Sequence, residues 1–344
     1  MSIFDQKVIK YEMKPLSSLE KVFPDETPVY RMECQMLSGL WGETVSFQVA
    51  YTGDFVMRER LDVRVVSELA EHVHVRTVEM VPVGRATNGI VDDNYLKTTS
   101  GLYPDLLKDL KDGKVIVYSR QWRSLWVDVD ITNEIPAGEY EIELQLIKEG
   151  EVVCSAKQKV TVIGTELPKL DIMHTEWMHA DCLADYYHVE VFSEEHWKLL
   201  ENYFQEYVKR DCNMMLTPLF TSPLDTAIGL ERTTCQLIDV EVKDGEYVFG
   251  FAKLKRWIDL CKKCGIEYFE MSHLFSQWGA KYAPKVVATV NGKKEKIFGW
   301  HTPAVGEYTK FLESFLPQLT AKLRKWEIAD VTYFHISDEP REEH

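Results

Sequence analysis

The sequence predicts a multidomain β plus α/β protein, in which an N-terminal β-sandwich is followed by about the first four units of a (β/α)8 TIM-type barrel. Short strands with turn signals fill the first half, and strands alternate with helices in the second half. A short polar segment with a proline, Thr-Glu-Leu-Pro-Lys at 165–169, separates the two halves. We therefore expect an accessory sandwich at residues 1–165 and the N-terminal half of a barrel at residues 170–344.

The sandwich prediction rests on short segments in which apolar and polar residues alternate. Residues 42–51 place Val45, Phe47, Val49 and Tyr51 on one face of a strand. Similar segments give seven or so strands, at 42–51, 61–66, 72–83, 115–118, 124–131, 140–147 and 152–162. Residues 106–110 are the one helical segment expected here, and residues 92–105 are expected to form a long loop.

The barrel prediction rests on an alternation of strands and helices, which implies a parallel sheet. The predicted strands are residues 171–177, 213–220, 266–275 and 331–336, and the predicted helices are residues 193–210, 252–264 and 306–326. Two hairpins, residues 236–251 and 286–298, turn at Asp-Gly and Asn-Gly. Four strands make half of a barrel and leave an edge open, so we expect a fragment of a longer protein.

Composition excludes several classes of partner. The formal net charge of -15 argues against nucleic acid or an anionic membrane, because either would require a basic face. No apolar stretch resembles a signal peptide or spans a bilayer, so we expect no membrane insertion and a cytoplasmic location.

The seven scattered cysteines favour reduced thiols. The sequence does not determine the oligomeric state.

The last predicted strand ends in an acidic pair, Asp338 and Glu339, followed by Pro340. Carboxylates resist desolvation, and the carboxyl ends of barrel strands are where such folds perform chemistry. Successive side chains on a strand point to opposite faces, so both acids reach one ligand only if the backbone turns here. Both are therefore predicted to be catalytic. The alternative is a solvated pair in an ordinary loop.

Other strand ends carry aromatic and polar residues that suit a carbohydrate. Aromatic faces stack on the C–H face of a sugar, and carboxylates accept hydrogen bonds from its hydroxyl groups. The predicted substrate-binding residues are His174, Glu176, Trp177, Asp181, Asp185, Tyr186, His273, Trp278 and Trp300. The alternative is that the aromatic residues belong to the core and that the acids are solvated.

A metal site is the alternative to this sugar site. His174, Glu176 and His179 carry ligand groups, but on a strand His179 would face away from the other two. This spacing favours the sugar site, and we predict neither a metal nor a cofactor.

With these residues in view, the sequence resembles glycoside hydrolase family 123, which overlaps the domain of unknown function family 4091. The resemblance is carried by HTEWMHADCLADYY at 174–187, NMMLTP at 213–218 and ISDEP at 336–340. It implies a retaining β-N-acetylgalactosaminidase that uses the 2-acetamido group of the substrate as nucleophile. It also implies that Glu339 is the general acid/base and that Asp338 orients and stabilises the acetamido group.

The acidic pair agrees with that mechanism. An ordinary retaining glycosidase needs two carboxyl groups about 5–5.5 Å apart on opposite sides of the scissile bond, where sequence neighbours are poorly placed. The predicted function is cleavage of terminal β-linked N-acetylgalactosamine from glycans or glycolipids. Two alternatives stay open: a catalytically inactive carbohydrate-binding or scaffold protein, or a truncated fragment, of the same fold; and a metal-dependent hydrolase using His174, Glu176 and His179.

Overall fold

A computed structural model describes residues 10–29, 36–55, 58–89, 91, 94–169, 171–224, 229–277 and 279–339. The chain forms two compact units, Met1–Lys169 and Leu170–His344. The described part is mostly β-sheet with few helices. Within it, no helix combines the length and the apolar character needed to cross a bilayer.

The first unit contains two five-stranded sheets. Its strands are β1 (Lys10–Ser17), β2 (Met36–Trp41), β3 (Thr44–Asp54), β4 (Glu59–Val66), β5 (Val73–Val83), β6 (Gly101–Asp109), β7 (Lys114–Val117), β8 (Arg123–Asp130), β9 (Gly138–Lys148) and β10 (Glu151–Glu166). The strand orders are β1-β3-β8-β5-β6 and β2-β10-β9-β4-β7. The strand pairs are antiparallel except β2 with β10, which is parallel.

Buried residues of both sheets form one hydrophobic cluster, which includes Phe47, Val49, Leu125, Ile142 and Leu144. Because side chains alternate across a strand, each sheet contributes one face to this cluster. Burial of that apolar area is the main force that holds the two sheets together.

The predicted helix at 106–110 is wrong, and the predicted loop at 92–105 is wrong from residue 101 onward, since β6 occupies Gly101–Asp109 and pairs with β5. Residues 94–100 contain neither helix nor strand, as expected of a loop. Leu102 and Leu106 remain exposed on β6. The strand therefore lacks a regular apolar alternation, and its hydrogen bonds to β5, not a local pattern, define it. β1 and β2 were likewise not predicted.

The second unit contains four α-helices and seven strands in its described part. They are α1 (Ala180–Tyr187), α2 (Glu194–Lys209), β11 (Met214–Thr217), β12 (Asp239–Lys243), β13 (Glu246–Gly250), α3 (Ala252–Cys264), β14 (Tyr268–Met271), β15 (Val286–Val290), β16 (Lys293–Phe298), α4 (Glu307–Lys325) and β17 (Thr332–Phe334). The hydroxyl of Ser193 accepts from the backbone N–H of His196 and caps α2. Gly265, with φ 101°, ends α3 in the left-handed conformation.

The strands of this unit form two sheets. β11, β14 and β17 make a parallel sheet in that order. The two predicted hairpins, β12–β13 and β15–β16, pair side by side through β12 and β15 into a second sheet, which the sequence did not predict. Apolar residues of α2, α3 and α4, among them Phe204, Trp257 and Phe315, form the core of the unit.

The predicted strand at 171–177 is wrong, because only Thr175 forms a β-bridge, with Met214. Neighbouring side chains replace the missing ladder. Asn213 Oδ1 accepts from the backbone N–H of His174 at 2.8 Å, and the Tyr207 hydroxyl accepts from that of Glu176 at 2.7 Å. The segment is therefore held beside β11 without being a strand.

The predicted final strand is parallel, as expected, but it is shorter than predicted and is not buried. Tyr333 and Phe334 are 41% and 38% exposed. Because these two residues are successive on the strand, exposed side chains lie on both of its faces. Among the described residues β17 pairs with β14 alone, so its outer edge stays open.

Candidate active site

The residues of the candidate site follow neighbouring strands of the parallel sheet. Ser272 and His273 follow β14, and His335 to Glu339 follow β17. Trp177 lies two residues after the bridge between Thr175 and Met214 of β11. Since the carboxyl ends of parallel strands meet at one edge of a sheet, these residues come together there.

Glu270 of β14 organises this edge, although it was not predicted as a site residue. Its side chain is buried, and both of its carboxylate oxygens accept hydrogen bonds. Trp177 Nε1 donates to Oε2 at 3.1 Å and to Oε1 at 3.3 Å, and His335 Nδ1 donates to Oε1 at 2.8 Å. A carboxylate thus fixes both an aromatic ring and the tautomer of a histidine. A glutamate inside an otherwise apolar strand is the sequence signal that could have found it.

Two histidines lie against each other beside Trp177. The rings of His273 and His335 are 3.9 Å apart at 35°, and the ring of Trp177 meets them edge-on at 5.2 and 5.5 Å. His273 is 1% exposed, and neither of its ring nitrogens has a hydrogen-bond partner in the described part of the chain. Burial, followed by the neighbouring imidazole of His335, lowers the pKa of His273 to about 4, against the opposing effect of Asp338.

The two predicted catalytic acids differ in their surroundings. Asp338 is half-buried, and Gln277 Nε2 donates to its Oδ2 at 2.9 Å. Glu339 is exposed, and its φ of 48° lies in the left-handed region. The backbone therefore turns at the acidic pair, which is the condition for both acids to reach one ligand. Pro340 lies outside the described residues.

The loops that carry these groups are tied to each other. The backbone N–H of Phe275 donates to Ile336 O at 3.2 Å, and the Ser337 hydroxyl donates to Ser276 O at 3.1 Å. Ser276 is in turn held by Tyr282, whose carbonyl accepts from its N–H at 2.9 Å. The loop after β14 therefore fixes the position of the segment after β17.

His174 and Glu176 lie on the segment beside β11, where His174 Nε2 is 3.6 Å from Glu176 Oε1. The Glu176 side chain is 75% exposed, whereas its backbone is held by Tyr207. The structure places both residues next to Trp177 in the chain, but their described contacts are not with the acidic pair.

The predicted residues of α1 make other contacts. Asp181 forms a buried, two-pronged ion pair with Arg232 at 2.7 and 3.0 Å. Asp185 accepts from the hydroxyl of Thr233, and exposed Tyr186 packs edge-on against Tyr187 at 5.0 Å. These contacts join α1 to residues 232–233 and not to the residues around Glu270.

Two predicted tryptophans complete the set. Trp300 is half-buried, and its ring lies 6.4 Å from that of Tyr282. Trp278 lies outside the described residues.

The described residues include one group of three side chains close enough to share a metal ion. Their ligand atoms, from His273, His335 and Asp338, lie within 4.8 Å of one another. This group differs from the set of His174, Glu176 and His179 that was considered from the sequence.

The arrangement combines the ring of Trp177, the imidazoles of His273 and His335, and the carboxylates of Glu270 and Asp338 at the edge of a parallel sheet. Glu339 follows at the turn. Such a site can stack on a sugar, hold a polar substituent and exchange a proton with a leaving oxygen.

Comparisons with known proteins agree with the resemblance seen in the sequence. The family described as "Glycoside hydrolase 123, catalytic domain" matches residues 177–344. A family 123 glycoside hydrolase from Clostridium perfringens is similar in structure, with a TM-score of 0.69 and 14% identity, over 94% of this chain and 58% of that chain. The chain thus spans less than two thirds of that enzyme.

Other similarities are slight. A β-glucosidase from Listeria innocua matches with a TM-score of 0.22 and 10% identity, over 46% of this chain and 17% of that chain, which is too little to carry an argument. A search of curated proteins by sequence finds no match. The second unit of this chain therefore matches the catalytic domain of glycoside hydrolase family 123 over residues 177–344, and the structural likeness shows a fold shared with a member of that family.

Proposed function

We propose that the chain contributes the catalytic acids of a glycoside hydrolase that removes terminal β-linked N-acetylgalactosamine with retention of configuration. The observation that carries this proposal is the position of Asp338, whose ligand atom lies within 4.8 Å of those of His273 and His335, together with the backbone turn at the adjacent Glu339. The related Clostridium enzyme is described as acting in glycolipid glycan hydrolysis, which supports a glycan or glycolipid substrate.

In the first step, the carbonyl oxygen of the substrate's 2-acetamido group attacks the anomeric carbon, and the bond to the leaving oxygen breaks. Glu339 donates its proton to that oxygen as general acid. Asp338 accepts a hydrogen bond from the acetamido N–H and stabilises the positive charge of the oxazolinium intermediate. In the second step, Glu339 takes a proton from a water molecule. The water oxygen bonds to the anomeric carbon from the face that the leaving group occupied, and the bond from that carbon to the acetamido oxygen breaks.

The environments of the two acids suit these roles. Gln277 donates to one oxygen of Asp338, which leaves the other oxygen to accept from the substrate. Glu339 is exposed and sits at the turn, where its side chain has access to a leaving group and to water. Trp177, held by Glu270, lies edge-on against His273, whose ligand atom is close to that of Asp338.

We also propose that the first unit is a β-sandwich and that the second is the first half of a (β/α)8 barrel. In the second unit, the bridge at Thr175 followed by β11, β14 and β17 gives four parallel positions in chain order, as in barrels. The open edge of β17 is where a fifth strand would pair in a longer chain.

The test is hydrolysis of aryl glycosides by the complete protein. We expect turnover of the aryl β-N-acetylgalactosaminide and none of the aryl β-galactoside, because the latter lacks the acetamido nucleophile. Glu339→Gln should lower kcat by about 10²–10⁴-fold for a poor leaving group and by less for nitrophenol, which needs little protonation. Asp338→Asn should lower kcat by about 10²–10³-fold.

Glu327→Gln and Asp330→Asn make the same changes at exposed positions of the same unit and serve as matched controls. Equal turnover by Glu339→Gln and Glu327→Gln would exclude Glu339 as the acid/base. Binding of a thiazoline that mimics the oxazolinium ring tests the pocket without turnover, and Asp338→Asn should weaken that binding while Asp330→Asn should not.

A further inference from the structure

His273 is a polar side chain whose hydrogen-bonding needs are not met. It is 1% exposed, and both of its ring nitrogens lack a partner in the described part of the chain. Buried polar atoms in native proteins nearly always have a partner, so an unpartnered buried imidazole indicates a ligand. A neutral imidazole offers one lone pair, which is what a transition-metal ion binds.

Two further ligand groups lie next to this imidazole. The ligand atoms of His273, His335 and Asp338 all lie within 4.8 Å of one another. Ligand atoms at about 2.0–2.1 Å from a tetrahedral zinc ion are separated by about 3.4 Å. A side-chain movement of up to about 1.4 Å therefore closes the group around such an ion.

Second partners already orient two of the three ligands. Glu270 accepts from His335 Nδ1 at 2.8 Å, which leaves Nε2 of that ring as the nitrogen with a free lone pair. Gln277 donates to Asp338 Oδ2 at 2.9 Å, which leaves Oδ1. A carboxylate behind a histidine and a hydrogen bond behind a carboxylate are the supports that protein metal ligands usually have.

We propose that His273, His335 and Asp338 bind one divalent transition-metal ion of the zinc class. Two nitrogens and one carboxylate oxygen match the ligand preference of zinc, and three protein ligands leave a fourth position open. Because Asp338 is also proposed to hold the acetamido group, metal and substrate compete for the site. That last consequence rests on the proposed function, whereas metal binding itself does not.

The test is equilibrium dialysis of the chain against Zn²⁺, together with visible spectra of the Co²⁺ form. We expect one ion per chain and d–d bands without the near-ultraviolet thiolate band that cysteine ligands would produce. Asp338→Asn and His335→Ala should abolish this binding, and Glu270→Gln should weaken it by about 10–100-fold. His301→Ala and Asp330→Asn remove the same groups at exposed positions and should bind like wild type.

Equal binding by wild type, His335→Ala and Asp338→Asn would overturn the proposal, as would a thiolate band or the absence of a bound ion in wild type. Asp338→Asn is isosteric at a half-buried position, and circular dichroism confirms that each variant is folded. In the activity assay, Zn²⁺ should raise the apparent KM for the aryl glycoside. A chain that binds zinc but hydrolyses nothing contradicts the proposed function alone, and a chain that hydrolyses but binds no zinc contradicts the metal site alone.

Discussion

Replacing Glu270 by glutamine removes one of the two acceptor oxygens that position Trp177 and His335. Glutamine keeps the shape of the side chain, but it removes the negative charge and replaces one acceptor oxygen by an NH2 group. The N–H groups of Trp177 and His335 are then left with one neutral carbonyl oxygen as their acceptor in a buried place. A hydrogen bond to a charged group contributes about 1.5–3 kcal/mol, so we expect this loss of stability.

For a unit of this size, a loss of that magnitude lowers Tm by about 3–12 °C. The matched control is Glu176→Gln, whose side chain is 75% exposed and whose substitution should change the free energy of unfolding by less than about 0.5 kcal/mol. Calorimetry of the two variants, in which the transition of the second unit is followed, measures the difference. If the Tm of Glu270→Gln equals that of Glu176→Gln and of wild type, Glu270 does not organise the site.

Three further outcomes follow from other contacts. Arg232→Leu should destabilise the second unit by about 3–5 kcal/mol in urea unfolding, because it leaves the buried Asp181 unpaired. The same change at exposed Arg256, which pairs with a glutamate on the surface, should lose no more than about 1 kcal/mol. Burial lowers the pKa of fully buried His196, so on acidification this histidine is protonated in the unfolded chain before it is protonated in the folded chain. The stability that His196 contributes is therefore complete above about pH 6.5 and falls as the pH is lowered. The urea midpoint should fall less steeply with decreasing pH in His196→Gln than in wild type. Gly265→Ala should lose about 1–2 kcal/mol in thermal unfolding, because φ is 101° there; no loss would contradict the strain argument.

Local patterns predicted the elements whose signals lie within a few residues. Ser193 and Gly265 marked the ends of α2 and α3, and the Asp-Gly and Asn-Gly turns marked both hairpins. The position of Asp338 and Glu339 after a strand followed from their place in the sequence. Each of these signals acts through the backbone of neighbouring residues, which is why a single sequence contains it.

Features that depend on distant partners were not predicted. Glu270 was not predicted as a site residue, because its partners Trp177 and His335 are far away in the sequence. The segment at 171–177 has a strand-like composition, but the side chains of Tyr207 and Asn213 satisfy its backbone. The joining of the two hairpins through β12 and β15 likewise has no local signal.

β17, the strand that precedes the two acids, is short and has one described neighbour, β14. This weak support affects how the site opens. Segments with few packed neighbours undergo local unfolding at a smaller free energy than the whole unit. The amide protons of Thr332 to Phe334 should therefore exchange with solvent sooner than those of β11, whose residues are all buried. In such an opening, Asp338 moves away from His273 and Gln277 while the helices stay folded. Any ligand that bridges Asp338 to the loop after β14 should slow that exchange, so hydrogen exchange at this strand reports occupancy of the site.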